Sequence, residues 1–341
     1  MSASFRSKNG MVWCVLLVGL LLLISHACDK SPNGPGDTGR WATRNNGLES
    51  LAIQFVAVNP HDSNMLFTGT FDGLYKSSNR GQAWVRIDSG WTYTTVSGVA
   101  FDALDEQVVY SSLVGAGVMG SDDRGESWER RIGGLSDLTV YSIVTHPEHS
   151  DTVFIGTDGG IWRSIDRGGH WTKMHFYNRA FIAYDPHNSD RLYAGGKYNN
   201  FFISADGGST WTQRSNPDIT GGPAVRIQWV LADPVNERTV YAASTTAGLY
   251  KITGNNVNWS SLNPGIDSRD VRVVVMDPGN ANVLYVATSN GVYRTASAGQ
   301  SWAGMSNGLT SMDVRALAID PGGSTLYAGT WGAGVFEWIP E

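Results

Sequence analysis

Ser164-Ile165-Asp166-Arg167-Gly168-Gly169-His170-Trp171 is the stretch that decides the fold. Written S-x-D-x-G-x-x-W, it recurs strictly at residues 121–128 and 204–211. Asn79 replaces the Asp at residues 77–84, and Thr295 and Ser297 replace Ser and Asp at residues 295–302. At residues 252–259 only Trp259 survives. The six tryptophans Trp84, Trp128, Trp171, Trp211, Trp259 and Trp302 follow one another at 44, 43, 40, 48 and 43 residues. A fixed period of this size marks a repeat architecture, and for units built of strands it marks a propeller.

Two further markers run in step. Each unit has an apolar strand ending at Asn59-Pro60, Asp102-Ala103, His146-Pro147, Asp185-Pro186, Asp233-Pro234, Asp277-Pro278 or Asp320-Pro321, which makes seven copies. A Gly-apolar-aromatic-basic run follows, as in Gly73-Leu74-Tyr75-Lys76, Gly160-Ile161-Trp162-Arg163 and Gly291-Val292-Tyr293-Arg294. The apolar runs are short, rich in Val, Ile and Tyr, and bounded by Gly, Pro, Asn and Asp. They read as strands with no sustained helical period. Each unit therefore offers four: A before the Asp-Pro, B after it, C before the S-x-D-x-G turn, and D from the Trp onward. Four-stranded blades around an axis fit this count.

The seventh unit stops at strand C. Trp41-Ala42 followed by Gly47-Leu48 matches Trp302-Ala303 followed by Gly308-Leu309, and Trp41 lies 43 residues before Trp84. The expected fold is all-β: a single seven-bladed propeller over residues 40–341, with the N-terminal strand completing the last blade. Such closure removes two raw sheet edges.

Residues 1–27 read as a signal peptide. Arg6 and Lys8 precede an apolar run of 14 residues, 11–24, too short for a membrane span. Ala27-Cys28 resembles a bacterial lipoprotein processing site, which implies a lipid on Cys28 and an envelope location, periplasmic or cell-surface. Residues 28–39 have the Pro/Gly/Asp composition of a flexible tether. Cys14 and Cys28 are the only cysteines, so residues 40–341 contain no disulfide and no thiol ligand. The net charge of −6 becomes −8 once Arg6 and Lys8 leave. An acidic chain without basic runs argues against nucleic acid. No cofactor is expected, the membrane is reached only through the lipid, and the closed ring is expected as a monomer.

The S-x-D-x-G-x-x-W string is identified as the Asp-box, or BNR repeat. The chain resembles Asp-box propellers such as sialidases, xyloglucanase-type glycosidases, sortilin-type receptors and the photosystem II assembly-factor group. The resemblance covers residues 40–341. It implies that the box is a hairpin turn between strands C and D, away from the usual active face. The box chemistry agrees: Asn79, Asp123, Asp166 and Asp206 can accept turn amides, and the Gly supplies positive φ. Trp41, Trp84, Trp128, Trp171, Trp211, Trp259 and Trp302 are expected to bury apolar surface between blades. One carboxylate per blade does not make a calcium site, which needs six or more oxygen ligands around one point. His146-Pro147-Glu148-His149 has an HxxH spacing, but it lies in an A–B turn, so no metal site is expected.

Strands alternate direction, so A–B and C–D turns share one face, the bottom, and D–A and B–C loops share the other, the top. Loops on the free face carry function. The tryptophan spacing shortens before blade 4 and lengthens after it, and Lys197-Tyr198-Asn199-Asn200 stands where other blades have a Gly. These features predict a notch lined by Tyr177, Asn178, Arg179, Lys197, Tyr198 and Asn199, with Arg214 and Asp218 on its lip. A second group is expected around the mouth of the channel. Gln54, Ser97, Tyr141, Ala180, Gln228, Arg272 and Arg315 align at the start of strand A, and Phe71, Asp72, Asp158 and Trp331 join them from B–C loops. Aromatics beside polar side chains suit a sugar or a peptide.

Resemblance to sialidases implies an arginine cluster, for which Arg179, Arg226, Arg272 and Arg315 stand near the mouth. Their opening F-R-I-P string is absent, and they use six blades. Xyloglucanase-type enzymes set their acids between two propellers, and this chain has one. The reading is a non-catalytic, envelope-anchored scaffold that binds a protein or glycan partner through its top face. The alternative is a glycoside hydrolase acting on extracellular glycans, with a carboxylate pair such as Asp72 and Asp158.

Overall fold

The computed structural model describes residues 39–92, 95–176, 179–198, 200–214, 225–254 and 258–341. The leader and Cys28 lie outside them. The described residues form 28 strands in seven four-stranded antiparallel sheets, each in the order A-B-C-D. Blade 1 comprises Ile53–Val58, Leu66–Thr70, Leu74–Ser77 and Val85–Arg86. Strand B is buried along its whole length while strand D is exposed, so each blade runs from a dry interior to a wet rim. Blade 7 comprises Val314–Ile319, Leu326–Thr330, Gly334–Pro340 and, as its strand D, the N-terminal Gly39–Thr43. Trp41 sits opposite Trp338 and Thr43 opposite Phe336. The closure predicted from Gly47-Leu48 is present, and its strand starts one residue earlier, at Gly39.

The core is seven wedges, one between each pair of neighbouring blades. The box tryptophans divide into two sets. Trp41, Trp84, Trp171 and Trp302 are 1–6% exposed. Each donates its indole N–H to a backbone carbonyl of the preceding blade: Met305 at 2.6 Å, Arg44 at 2.7 Å, Arg131 at 2.9 Å and Leu262 at 2.8 Å. The acceptor is always the residue three after that blade's own tryptophan. Burying an indole removes roughly 150–250 Å² from water, worth about 4–6 kcal/mol at about 25 cal/mol/Å². A satisfied N–H adds about 1 kcal/mol.

Trp128, Trp211 and Trp259 are only partly buried. Trp128 and Trp211 donate to Gly125 and Gly208 of their own turns, at 3.1 and 3.0 Å, and the Trp259 N–H has no partner. The cause lies on the preceding blade. Wherever the joint is locked, that blade carries a Gly-aliphatic pair six and seven residues after its tryptophan: Gly47-Leu48, Gly134-Leu135, Gly265-Ile266 and Gly308-Leu309. These glycines have φ between +74° and +93° and lie against the backbone of the next tryptophan or its box. Before Trp128 the pair is Gly90-Trp91, and the larger ring meets Trp128 edge-on at 5.7 Å, displacing it. Before Trp211 no such pair exists, and before Trp259 the corresponding residues lie outside those described. Both joints of blade 4 (Phe181–Asp185, Asn188–Gly195, Phe201–Ser204, Thr212–Gln213) are therefore unlocked.

A basic side chain braces several joints on the bottom face. Lys76 Nζ donates to the Arg124 carbonyl at 2.9 Å, and Arg163 to that of Gly207 at 3.3 Å, both in the next blade's box. Blade 2 has Gly120 at this position. Arg131 from strand D covers that glycine and donates to the matching carbonyl, Arg167, at 3.1 Å.

Two outcomes are expected. Gly47→Ala places Cβ 2.1 Å from the Trp84 carbonyl oxygen, whereas Gly90→Ala meets open space at a similar φ. Backbone strain costs each about 1–3 kcal/mol; the melting temperature should fall further for Gly47→Ala, and equal falls would contradict the locked joint. Deleting residues 40–48 removes the last strand and Trp41, where a buried Trp alone is worth about 3–5 kcal/mol. Melting should then drop sharply or give way to aggregation, and an unchanged melt would refute closure.

Candidate functional site

On the bottom face the box carboxylates are consumed by their own turns. Asp166 Oδ1 accepts the His170 amide at 2.8 Å and the Ser164 hydroxyl at 2.7 Å. Asp123 and Asp206 repeat the pattern with Ser127 and Ser121, and with Thr210 and Ser204. Asn79 makes the same bonds to Ala83 and Ser77 without a charge. Burial pushes the Asp123 carboxyl up, but bonds from Ser127, Ser121 and Glu126 outweigh it and hold the group at about 2. Asp166 and Asp206 are held below the ordinary range by hydrogen bonds, chiefly from Ser164 and Thr210 respectively. His146 Nδ1 accepts the Glu148 amide at 3.0 Å. Asn59, Asp102 and Asp185 make the equivalent turn contact in their blades, so the HxxH histidine is a turn acceptor.

The top face carries the mouth group, and a backbone device presents it. In six of the seven A strands a β-bulge inserts one extra residue at the top: Gln54, Ser97, Tyr141, Gln228, Arg272 and Arg315. A bulge leaves its extra residue outside the ladder and re-aims the side chain. Blade 4 has no bulge there, since Phe181↔Gly195 and Ile182↔Ala194 follow without a shift. The expected place of Ala180 in this ring is thereby corrected. Ala180 is fully buried, in the position of Ile53 and Val140. Blade 4 lost the residue that the other blades present at the mouth.

The structure joins four of the predicted residues, Arg272, Arg315, Trp331 and Phe71. Arg272 donates to Asp270 at 2.8 Å and to Asp313. Arg315 shares Asp313 at 3.4 Å and lies 3.8 Å from the centroid of the Trp331 ring. Trp331 meets Phe71 edge-on at 5.0 Å and 88°. The two rings are 38% and 39% exposed. The Trp331 amide is fixed by the Asp313 carbonyl at 2.8 Å. Burial opposes the charge on both Arg272 and Asp313, yet their pairing raises the one pKa and lowers the other. The row Asp270–Arg272–Asp313–Arg315–Trp331–Phe71 thus spans blades 6, 7 and 1 with no net charge. The two carboxylates escaped the sequence reading, although Asp-Val-Arg at residues 270–272 and again at 313–315 marks them.

The notch residues stand apart from this row. Arg179, at φ +59°, lays its guanidinium 4.0 Å from the Tyr141 ring, and the Tyr141 hydroxyl donates to Asp158 at 3.1 Å. Tyr198, at φ +65°, is 63% exposed, and Lys197 precedes it in the same B–C loop. Non-glycine residues at positive φ are uncommon and often mark function. Tyr177, Asn178, Asn199 and Asp218 lie outside the described residues. Arg214 is not on the top lip: its side chain lines a groove on the bottom with Asp206, Arg238 and Gly254.

The family model of Sortilin-Vps10 (sortilin, neurotensin receptor 3) matches residues 116–216. The xyloglucanase of Hypocrea jecorina is 26% identical over 249 residues, covering 68% of this chain and 29% of that protein. The GH74 xyloglucanase from Xanthomonas campestris superposes with a TM-score of 0.68 at 21% identity, over 88% of this chain and 53% of that one. YCF48 bound to D1 peptide superposes at 0.67 and 12%, over 91% and 99%. The chain is an Asp-box β-propeller.

This Asp-box propeller spans under a third of the length of the curated relatives it matches. At 12–21% identity the solved structures share its ring; the row at blades 6, 7 and 1 rests on this chain's own residues.

The boxes carry an acid test. A depressed carboxyl contributes stability above its unfolded pKa and loses it as the pH falls through the folded value. The Asp123 contribution is therefore present above 3.8 and lost on the way to about 2. Asp123→Asn, which copies Asn79, should flatten the decline in melting temperature across that window. An unaltered decline would remove Asp123 from the account. A chelator should leave the melt unchanged, and a calcium-dependent shift would contradict a structural box.

Proposed function

We propose that this propeller is a binding module that holds a protein or glycan partner on its top face, at blades 6, 7 and 1, without chemistry of its own. The observation that carries the reading is the pair of exposed rings, Phe71 and Trp331, braced by Arg315 and Asp313. Exposed aromatics held rigid before a ligand arrives lose little entropy on binding. Trp and Arg also dominate binding hot spots. Glycoside hydrolysis asks for a carboxylic acid with a raised pKa. Among the described residues the displaced carboxyls, Asp123, Asp166, Asp206 and Asp313, all lie below the ordinary range. The mouth arginines Arg272 and Arg315 are already paired with carboxylates, which argues against capture of an acidic sugar between them.

The xyloglucanase relatives favour the second reading, hydrolysis of an extracellular glycan. The leader and Cys28 support an envelope lipoprotein, and the paired edges of the closed ring support a monomer. Strand D of blade 7 runs from bottom to top, so Gly39 lies at the bottom rim, on the face opposite Phe71 and Trp331.

Capture of envelope proteins and binding to a glycan array test the module. Trp331→Ala and Arg315→Ala should each weaken whatever is captured by about tenfold or more, and Tyr198→Ala reports on the notch. Glu106→Ala, in a bottom turn, should change nothing. Loss with the bottom variant alone would place the site on the wrong face. Release of reducing sugars from xyloglucan would replace the module by the hydrolase.

A further inference from the structure

Blade 4 repeats an arrangement of blade 2 with its charges removed. Arg131 and Arg214 are equivalent, each three residues after its box tryptophan and each donating its amide to strand C, to Val118 at 2.9 Å and Phe201 at 2.6 Å. In blade 2 the Arg131 guanidinium is 8% exposed. It lies between Asp122 and Glu129, with Glu129 at 2.8 Å, and it braces the Arg167 carbonyl. In blade 4 Ala205 stands where Asp122 does, and Thr212 where Glu129 does. Arg214 keeps its place and loses both partners. Its side chain is exposed, bonded to the backbone of Gln213 at 3.2 Å, and no carboxylate among the described residues pairs with it.

Beside Arg214 lies a groove of about 310 Å³ between blades 4 and 5, and a groove of about 340 Å³ lies beside Arg131 and Glu129 between blades 2 and 3, so the two places differ in charge and not in room. Arg191, Arg214 and Arg238 line it together with Tyr193, Thr210 and Thr212. Asp206 also lines it, but its oxygens serve the box amide and hydroxyl of Thr210 and the hydroxyl of Ser204. Arg191 is held by Asp185 at 3.1 Å, and Glu237 lies 3.4 Å from Arg238 and 4.0 Å from Arg191. Those two arginines are partly compensated, and Arg214 has no such carboxylate among the described residues. The Trp259 indole N–H, which in a locked joint would meet the Arg214 carbonyl, is buried without a partner, so this joint lacks the indole bridge.

We infer that the groove between blades 4 and 5 is an oxyanion site, in which a bound anion supplies what Asp122 and Glu129 supply in blade 2. Guanidinium recognises carboxylate, sulfate and phosphate alike through paired N–H···O bonds. Arg214 makes the central contact, with Arg238 and the Thr212 hydroxyl converging from the walls. The ligand is a free inorganic anion or the acid group of a small sugar.

Calorimetry on the protein with inorganic phosphate, inorganic sulfate and glucuronate, with glucose as the neutral control, tests this. At least one anion should bind while glucose does not. Phosphate or sulfate alone identifies a free anion, and tighter binding of glucuronate identifies an acidic sugar. Arg214→Ala should weaken binding about tenfold or more. The double variant Ala205→Asp, Thr212→Glu, which rebuilds blade 2, should abolish binding and raise the melting temperature. Absence of binding by all three anions, or binding that survives both variants, overturns the site.

Discussion

The ring depends on one contact, repeated around the axis: the indole at the head of each strand D lying against the preceding blade. Among the described residues the regular elements are all strands, and neighbouring blades share no continuous ladder, only isolated backbone bridges such as Ala52 with Trp331 and Gly133 with His170. Cohesion must come from the seven apolar wedges and from groups that bridge them. In a repeat protein such nearest-neighbour terms set the stability of the whole. Four joints are locked through Trp41, Trp84, Trp171 and Trp302. Three of these lie in sequence, from blade 5 to 6, 6 to 7 and 7 to 1. They flank blade 7, where the chain closes without a covalent link. The strongest bridging falls where connectivity cannot help, and the loosest joints fall at blade 4, across the ring.

Much of this was legible in the sequence, for definite reasons. The box depends on local turn chemistry, so Ser164 to Trp171 could be read without knowing the fold. Closure was legible because Gly47-Leu48 repeats Gly308-Leu309. The locking rule was not, because it sits on a different blade from the tryptophan it controls: Gly90-Trp91 resembles Gly134-Leu135 until the bulk of the second residue is weighed. The missing bulge of blade 4 was read as a shorter loop, since a one-residue deletion leaves the same spacing whether it falls in a strand or beside it. Ala180 was misplaced for that reason. Arg214 looked like the start of the long top connection because it ends strand D, yet its amide still pairs with strand C at Phe201 and its side chain turns into the groove below.

The same asymmetry organises the candidate sites. Where joints are locked, at blades 6, 7 and 1, the top face presents rings held in place by a neutral row of two carboxylates and two guanidiniums. Rigid, uncharged presentation suits recognition of neutral polar or apolar surface. Around blade 4 the joints lack the indole bridge, two residues take left-handed backbone, and an arginine has lost the carboxylates of its blade 2 counterpart. Loss of structural bracing and exposure of polar side chains go together there. The sequence shows no reason for charge to be retained at Arg214 once Asp122 and Glu129 have no equivalents, unless something else pairs with it.

Backbone amide hydrogen exchange, followed by mass spectrometry across the whole ring, tests the central claim most directly. Opening free energies vary through a structure with the contacts that must break. If the indole joints carry the ring, strands of blades 6, 7 and 1 exchange slowest, including Gly39–Thr43, although that strand begins the described fold and closes it without a covalent link. The strands of blade 4 exchange fastest. Uniform protection around the ring, or blade 4 protected as well as blade 7, would contradict the account.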